Sequence, residues 1–325
     1  MAPIRPFVVD PVLTAISIGY RNPAQALIAD LCLPYQPVGA EKFGWTEYPL
    51  AEAFNIPDAK VGRRGRVQQL EFGGTQKTAE VEDFGLESPI PYTDIDAARE
   101  ARERGVSTYD PEGHSTMMLT DTVANIREVR VAGLMQDPAN YATGRQVTLA
   151  GNDQFSDYAN SDPIGVIKNA CESTLVFMPN TMSMGRSVWS YLSSHPKVVN
   201  AVKGNLTNEG IVTKQQFADI FADYGIREIL VGDAWHNTAK PGQDVSLARA
   251  WGNHISLFHK NPIASPQGGG ITFGFTARYG TKFSGRIEDP NVGLKGGVNI
   301  RTGEQVKELI VAKDVGYLIR NAVSG

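Results

Sequence analysis

Two sets of side chains in the sequence have residue types that could support hydrolysis or metal binding. In neither set does the spacing bring the side chains together. Asp233, His236 and Ser246 include the three residue types of a hydrolytic triad, but nothing in the local sequence orients one toward another. His254 and His259 are five residues apart in a predicted strand, where an odd spacing puts two side chains on opposite faces. Joint metal ligation by these histidines is therefore disfavoured, and ordinary polar contacts are the simpler interpretation of both sets.

The sequence motifs of the common enzyme classes are absent. It contains no nucleophile elbow, no P-loop, no dinucleotide fingerprint and no HExxH zinc helix. The three glycines at 268–270 could hold a phosphate, but no Lys-Ser or Lys-Thr and no clear helix follows them, so they predict a turn. We expect no cofactor, no metal and no enzymatic activity; a hydrolase built on residues 161–262 is kept as an alternative.

Composition argues against three further classes of protein. The chain has 31 Lys+Arg against 35 Asp+Glu, a formal net charge of −4, and so lacks the basic excess of a dedicated nucleic-acid binder. Its two cysteines, Cys32 and Cys171, have apolar neighbours and predict buried thiols in a reducing compartment. No apolar run approaches the roughly 20 residues of a membrane span, and Pro3, Pro6 and Asp10 interrupt the N-terminal region too early for a signal peptide. We expect a protein without membrane contact in the cytoplasm where it is made.

One cluster of basic residues stands out between two predicted strands. Lys60, Arg63, Arg64 and Arg66 lie in NIPDAKVGRRGRV, and the strand before it, KFGWTEYPL, contains Trp45. The cluster has no interleaved aromatic residues, so contact with protein or solvent is a better prediction than contact with nucleic acid. Because a two-stranded hairpin alone is only marginally stable, we expect this hairpin to project and lie on a neighbouring molecule.

Before this hairpin, residues 1–38 carry six prolines, at positions 3, 6, 11, 23, 34 and 37, and scattered hydrophobic side chains such as Phe7. A segment of this kind cannot offset its ordering entropy alone, so it predicts an extended arm laid across another surface. After the hairpin, residues 92–104 predict a short polar helix that ends at Gly105.

The sequence predicts one long helix over 110–136, with Asp110 as N-cap and Pro111 in the first turn. We call it the spine helix. Its predicted apolar stripe, expected to pack on β structure after Ile263, consists of Leu119, Val123, Ile126 and Leu134. Its predicted polar faces carry Asp121, Arg127, Glu128 and Arg130.

After the spine helix, a strand pair is predicted around Gly144, and residues 161–262 then alternate between helices and strands. The pattern predicts a buried strand at 174–178, a helix that begins at MSMG and is broken at Pro196, and further strands at 228–231 and from His254. From Ile263 the chain is glycine-rich and extended, and the last segment is either extended or helical.

This order of elements resembles the major capsid proteins of tailed bacteriophages, which have the Hong Kong ninety-seven type shell fold. The stretches TEYPLAEAFNIPDAKVGRRG, DIDAARE and ILVGDAW have the texture of that family, and the likeness covers nearly the whole chain. It implies an α+β fold with an N-terminal arm (1–38), an extended β-hairpin loop (39–91) and a peripheral domain with the spine helix (92–160). An axial domain (161–262), peripheral return strands (263–304) and a segment that rejoins the axial domain (305–325) follow.

The resemblance also implies a function and partners. Members of the family self-assemble into hexamers and pentamers of an icosahedral shell that encloses double-stranded DNA, which they contact weakly and non-specifically. The implied partners are a separate scaffolding protein, a portal and, in some members, a decoration protein; the implied location is the virion capsid, assembled in the cytoplasm of the host bacterium. Candidate inter-subunit contacts are Phe7, Trp45, Lys60, Arg63, Arg64 and Arg66. An encapsulin-like cage and another virion component are the alternatives within this class.

Overall fold

The computed structural model describes most of the chain, with gaps. The described residues are 8–19, 26–47, 56–67, 69, 75–174, 177–204, 207, 209–240, 242–261 and 270–324. Within them, the strands form two five-stranded sheets and two two-stranded ribbons, and helices cover the sheets. The mixed helix and sheet architecture confirms the predicted α+β class.

The first sheet, here called the peripheral sheet, is built on a long antiparallel hairpin of strands β12 (Gly274–Asp289) and β13 (Gly297–Ile310). Strand β5 (Glu82–Pro91) pairs antiparallel with the other edge of β13. On the outer edge of β12, β1 (Val8–Val9) pairs antiparallel and β2 (Tyr35–Val38) pairs parallel, at different positions. Strand β13 thus extends beyond the boundary expected at residue 304.

The described part of the N-terminal region packs on its own subunit. Helix α1 (Pro11–Gly19) is capped by Asp10, whose Oδ1 accepts hydrogen bonds from the backbone N–H groups of Val12 (2.8 Å) and Leu13 (3.1 Å). Leu13 is buried, and the Thr14 hydroxyl donates to a backbone carbonyl of β12. The expectation of an extended arm laid across another surface is wrong for these residues, because the proline at the first helical position favours a helix there. Phe7 lies outside the described residues.

Two short helices and the spine helix complete the peripheral part of the molecule. Helix α2 spans Ala29–Cys32 and helix α3 spans Tyr92–Glu103. The spine helix, α4, spans Pro111–Gln136, and Asp110 accepts a hydrogen bond from the Gly113 N–H at 3.2 Å. The long helix and its N-cap are therefore confirmed; its 26 residues extend over about 39 Å.

The buried face of the spine helix is only partly the predicted one. Leu119 packs in one apolar cluster with Leu13, Ile90, Val298 and Ile300, the last two on β13, as expected. Val123 is also buried.

Three predictions about this helix are wrong. Ile126 is 41% exposed, whereas Arg127 and Glu128, assigned to polar faces, are 3% and 0% exposed. The helix packs against β13 on one side and against the residues that precede β2 on another. Glu128 and Arg127 are buried on this second side, where they form hydrogen bonds with Ile28 and Leu33.

The second sheet, here called the axial sheet, mixes parallel and antiparallel pairs. Its strand order is β6 (Gln146–Thr148), β14 (Gly316–Arg320), β11 (Ile255–Phe258), β7 (Thr181–Gly185) and β8 (Glu228–Gly232). The pairs β6–β14 and β7–β8 are parallel, and the others are antiparallel. The helices of this part are α5 (Pro163–Ser173), α6 (Arg186–Ser193), α7 (Pro196–Lys203) and α8 (Lys214–Ile220).

Local predictions in this block succeeded for one helix break and failed for two strands and for one helix start. The break at Pro196 is confirmed, since α6 ends at Ser193 and α7 begins at that proline. The strand predicted at 174–178 is wrong: Phe177 and Met178 are exposed and lie before the strand β7, while residues 175–176 lie outside the described part of the chain. The helix predicted to begin at MSMG is wrong at its start, because these residues belong to β7 and α6 begins at Arg186. Instead of the strand pair expected around Gly144, the described chain has the single strand β6, which pairs with β14.

Candidate functional site

The extended loop is carried by a ribbon of two strands, β3 (Lys42–Glu47) and β4 (Thr75–Glu80). In the described chain these strands pair only with each other, antiparallel, with Trp45 opposite Lys77. Lys77 forms an ion pair with Glu47 across the ribbon. A two-stranded ribbon without a third strand is marginal by itself.

The basic cluster lies in an exposed loop beyond this ribbon. The Gly65 N–H donates to the Gly62 carbonyl at 2.8 Å, which closes a turn with Arg63 and Arg64 at its corner. Apolar side chains are also exposed here, Ile56 at 94%. Lys60, Val61, Arg66 and Val67 are exposed as well, and so is one acidic residue, Asp58.

No ion pair joins the four basic side chains of the loop to a residue in the described part of the chain. Cations next to exposed hydrophobic side chains form a surface that suits an acidic, partly apolar partner. The structure places the four basic residues in this one loop, as the sequence indicated.

Trp45 lies on the ribbon that carries the loop, and it is half-buried. Its ring centroid is 6.1 Å from that of Phe43, two residues away on the same face. The Trp45 Nε1 atom is buried and has no hydrogen-bond partner among the described residues. An indole N–H in this state is costly, since it can act only as a donor.

A cluster of buried charges on the spine helix was missed by sequence reasoning. Arg127 forms an ion pair with Asp30 and donates hydrogen bonds to the Leu33 carbonyl (3.3 Å) and the Thr276 hydroxyl (2.9 Å). Its guanidinium lies 4.0 Å from the centroid of the Tyr35 ring. Burial lowers the pKa of Arg127 to about 10, so the side chain is still charged at neutral pH.

Glu128 next to it is fully buried and accepts three hydrogen bonds. Oε1 accepts from the Ile28 N–H at 2.9 Å and from Trp251 Nε1 at 2.6 Å, while Oε2 accepts from the Ala29 N–H at 2.8 Å. Burial raises the pKa of Glu128, and the three hydrogen bonds act in the opposite direction. This carboxylate connects three segments that are distant in sequence.

A helical spacing could have revealed these charges. Arg127 is four residues from both Val123 and Val131, which are buried, so a strict reading of the periodicity puts its side chain on the apolar stripe.

The residues considered for a triad do not form one. Asp233 is bonded to Arg249, and the Thr238 hydroxyl donates to Ser246. No hydrogen bond between described residues joins His236 to Asp233 or Ser246.

A second histidine, His195, contacts a serine but cannot act as its base. His195 Nδ1 accepts from the Lys197 N–H at 3.2 Å, so the proton is on Nε2, which donates to Ser161 Oγ at 3.0 Å. The Ser161 hydroxyl in turn donates to the Asp157 carbonyl at 2.6 Å. Burial, with the nearby Lys197 charge, lowers the pKa of His195 to about 4. The histidine is the N-cap of α7.

The remaining candidates have structural contacts. His254 Nδ1 accepts from the Asn321 N–H at 3.0 Å, and His259 stacks on Phe177 with ring centroids 4.7 Å apart. The cysteines are free and buried, as predicted. Among the described residues, no three metal-binding side chains are grouped to hold an ion. None of the described helices has the length and apolar character for a membrane crossing. The glycines at 268 and 269 lie outside the described residues.

The peripheral hairpin, the long helix beside it, the axial sheet and the projecting ribbon together have the fold of phage capsid proteins. The structure superposes on a phage-related protein from Bordetella bronchiseptica RB50 with a TM-score of 0.71, at 23% identity over 97% of this chain and 98% of that chain. It superposes on the capsid protein of cyanophage P-SCSP1u with a TM-score of 0.59, at 11% identity over 93% of this chain and 90% of that one.

Two curated proteins give the identification. The chain is 41% identical to the major capsid protein of Pseudomonas phage JBD67 over 319 residues, and this alignment covers 98% of both chains. It is 29% identical to the major capsid protein of Burkholderia phage BcepMu over 96% of both chains. No family model matches. The chain belongs to the family of phage major capsid proteins.

Proposed function

We propose that this chain is the structural subunit of an icosahedral shell of a tailed phage or prophage, that it assembles into hexamers and pentamers around double-stranded DNA, and that it is not an enzyme. The observation that carries the proposal is the projecting ribbon, whose exposed basic loop has no ion-pair partner within the described chain. Membership of the family supports it.

The proposed contact joins this loop to acidic surface on an adjacent subunit. Arg63 and Arg64 are at the exposed corner, and Lys60 and Arg66 extend the charged surface on either side. Attraction between opposite charges would fix the register of one subunit on the next, and burial of Ile56 would add apolar contact. Trp45, which is half-buried on the ribbon, and Phe7, which lies outside the described residues, are proposed contacts of the same shell.

A double charge reversal tests the contact. We expect Arg63→Glu with Arg64→Glu to leave the subunit folded, because both side chains are exposed and have no ion-pair partner in the described chain. The variant should form no closed particles in negative-stain electron microscopy. Normal particles from this variant would contradict the proposed role of the loop.

The matched control makes the same change of charge on helix α3. Arg99→Glu with Arg104→Glu alters two exposed arginines whose partners, Asp96 and Glu100, are on that same helix. Such surface pairs contribute little to stability, so the control should fold and assemble. If the control also fails to assemble, the effect is one of net charge and the loop contact is not supported.

The proposed partners are a separate scaffolding protein, a portal, a decoration protein and the packaged DNA. A near-neutral chain with net charge −4 suits a shell that contacts DNA weakly, because a strongly basic surface would hold the phosphates. We place assembly in the cytoplasm of the host bacterium. Co-expression with candidate scaffolding proteins, with particle diameter as the readout, tests the first of these partners.

A further inference from the structure

Residues 26–38 pass from the axial part of the molecule to the peripheral sheet and are bonded to both. At the axial end, the Asp233 N–H donates to the Ala26 carbonyl at 3.2 Å, and Lys260 Nζ donates to the Leu31 carbonyl at 3.0 Å. At the other end, β2 pairs with β12 of the peripheral sheet. The segment therefore bridges the two sheets within one chain.

The middle of this segment is part of the apolar cluster at the junction of the two sheets. The cluster contains side chains from the segment, from the spine helix, from the axial sheet and from the residue before β12. Its members include Ile28, Ala29, Cys32, Leu33, Val131, Ala132, Met135, Leu230, Phe258, Leu318 and Phe273. A change in the angle between the sheets must alter this packing or move the segment.

Glu128 ties the segment to both sides at one point. Its carboxylate accepts from the backbone of Ile28 and Ala29 in the segment, and from Trp251, which precedes β11 of the axial sheet. The Trp251 ring is fixed against β8: a Cβ added to Gly232 would lie 2.1 Å from its Cδ1 atom. If the carboxylate were lost, three buried donors would be left unpaired at this junction.

Arg127 makes a second tie one residue earlier. It contacts Asp30, Leu33 and Tyr35 of the segment and also Thr276 of β12. The two adjacent charged residues thus hold successive parts of the same segment: Glu128 also bonds Trp251 on the axial side, and Arg127 also bonds Thr276 of the peripheral sheet.

We propose that residues 26–38 form an intramolecular strap that fixes the angle between the axial and peripheral sheets, with Glu128 as its anchor. A subunit that must fit several environments in a closed shell needs an angle that is set and can be reset. The strap is a property of the single chain and the shell contact joins two chains. A test can therefore contradict the strap and leave the proposed shell contact intact, or contradict the contact and leave the strap intact.

The test uses Glu128→Gln in the full-length chain before assembly. A glutamine keeps the shape, but its amide group presents a donor to a backbone donor, so at least one bond is lost. We expect hydrogen exchange at the amides of Ile28 and Ala29 to become about tenfold faster, while amides of β11 keep their rates.

A second measurement follows the angle between the sheets. Spin labels on Leu294→Cys and Ile211→Cys, exposed sites at the peripheral hairpin and in the axial part, should show a broader distance distribution. The native cysteines are buried and should stay unlabelled.

The control is Glu112→Gln on the same helix, which pairs with Arg286 and has no described bond to the strap; both readouts should stay at the wild-type values. If hydrogen exchange at Ile28 and Ala29 is unchanged in Glu128→Gln, Glu128 does not anchor the strap. If exchange is faster but the spin-label distance distribution is unchanged, residues 26–38 do not fix the angle between the sheets. If Glu128→Gln does not fold, Trp251→Phe decides, because it removes the indole donor to Glu128 while it keeps the carboxylate and an aromatic ring in the apolar cluster. A smaller change of the same kind in both readouts supports the proposal, and wild-type values in both contradict it.

Discussion

At the scale of single residues, buried polar side chains hold together segments that share no strand pairing. His195 accepts from the Lys197 backbone N–H and donates to Ser161, so it caps α7 and joins that helix to the residues that precede α5. Glu128 and Arg127 do the same between the spine helix and the N-terminal region. Each side chain must keep one protonation state to do so.

His195 gives a prediction for pH. Its pKa is about 4 in the folded chain and ordinarily 6.5, so its contribution to stability is complete above pH 6.5 and is lost as pH falls toward 4. At pH 5 the loss should be about 1–2 kcal/mol relative to pH 7. His195→Asn keeps an N-cap acceptor without titrating in this range and should have a flatter dependence. Urea unfolding at several pH values measures the difference; equal slopes for both proteins would contradict the assignment.

Residue types and spacing in the sequence predicted which charged side chains are exposed better than which are buried. The exposed basic loop was predictable, since Lys60, Arg63, Arg64 and Arg66 have no apolar neighbour pattern that would bury them. The helical spacing places Arg127 on the buried stripe, but the partners of Arg127 and Glu128 were not predictable, because they are far away in sequence and become neighbours only when residues 26–38 cross the spine helix.

At the scale of elements, the spine helix was the best predicted because its signals are local. Asp110 with Pro111 marks its start, and Asp137 before Pro138 marks its end. Strand β7 was missed because TMSMG has weak strand propensity and is formed by pairing with β11 and β8 on both sides.

The orientation of the spine helix can be tested with two substitutions. Leu119→Ala should lower the free energy of unfolding by about 2–4 kcal/mol, because it empties space in the cluster with Val298 and Ile300. Ile126→Ala is the matched control on the same helix and should change it by less than about 1 kcal/mol, because Ile126 is 41% exposed. Denaturant titration gives both values. Equal losses would show that the helix is turned differently from the structure.

At the scale of the whole molecule, two sheets meet at one apolar junction, and the ribbon of β3 and β4 belongs to neither sheet. The order of these parts along the chain was enough to suggest the capsid family, because the long helix, the hairpin and the α/β block each leave a recognisable pattern. Where the N-terminal region lies was not predicted, since its other prolines suit extended backbone and only Pro11, after Asp10, marks the start of a helix.

Whether this chain builds a closed shell is decided by size-exclusion chromatography and negative-stain imaging of the expressed chain, with and without a co-expressed scaffolding protein. We expect closed particles, or rings of hexamers and pentamers. A chain that stays monomeric in every condition would contradict this expectation.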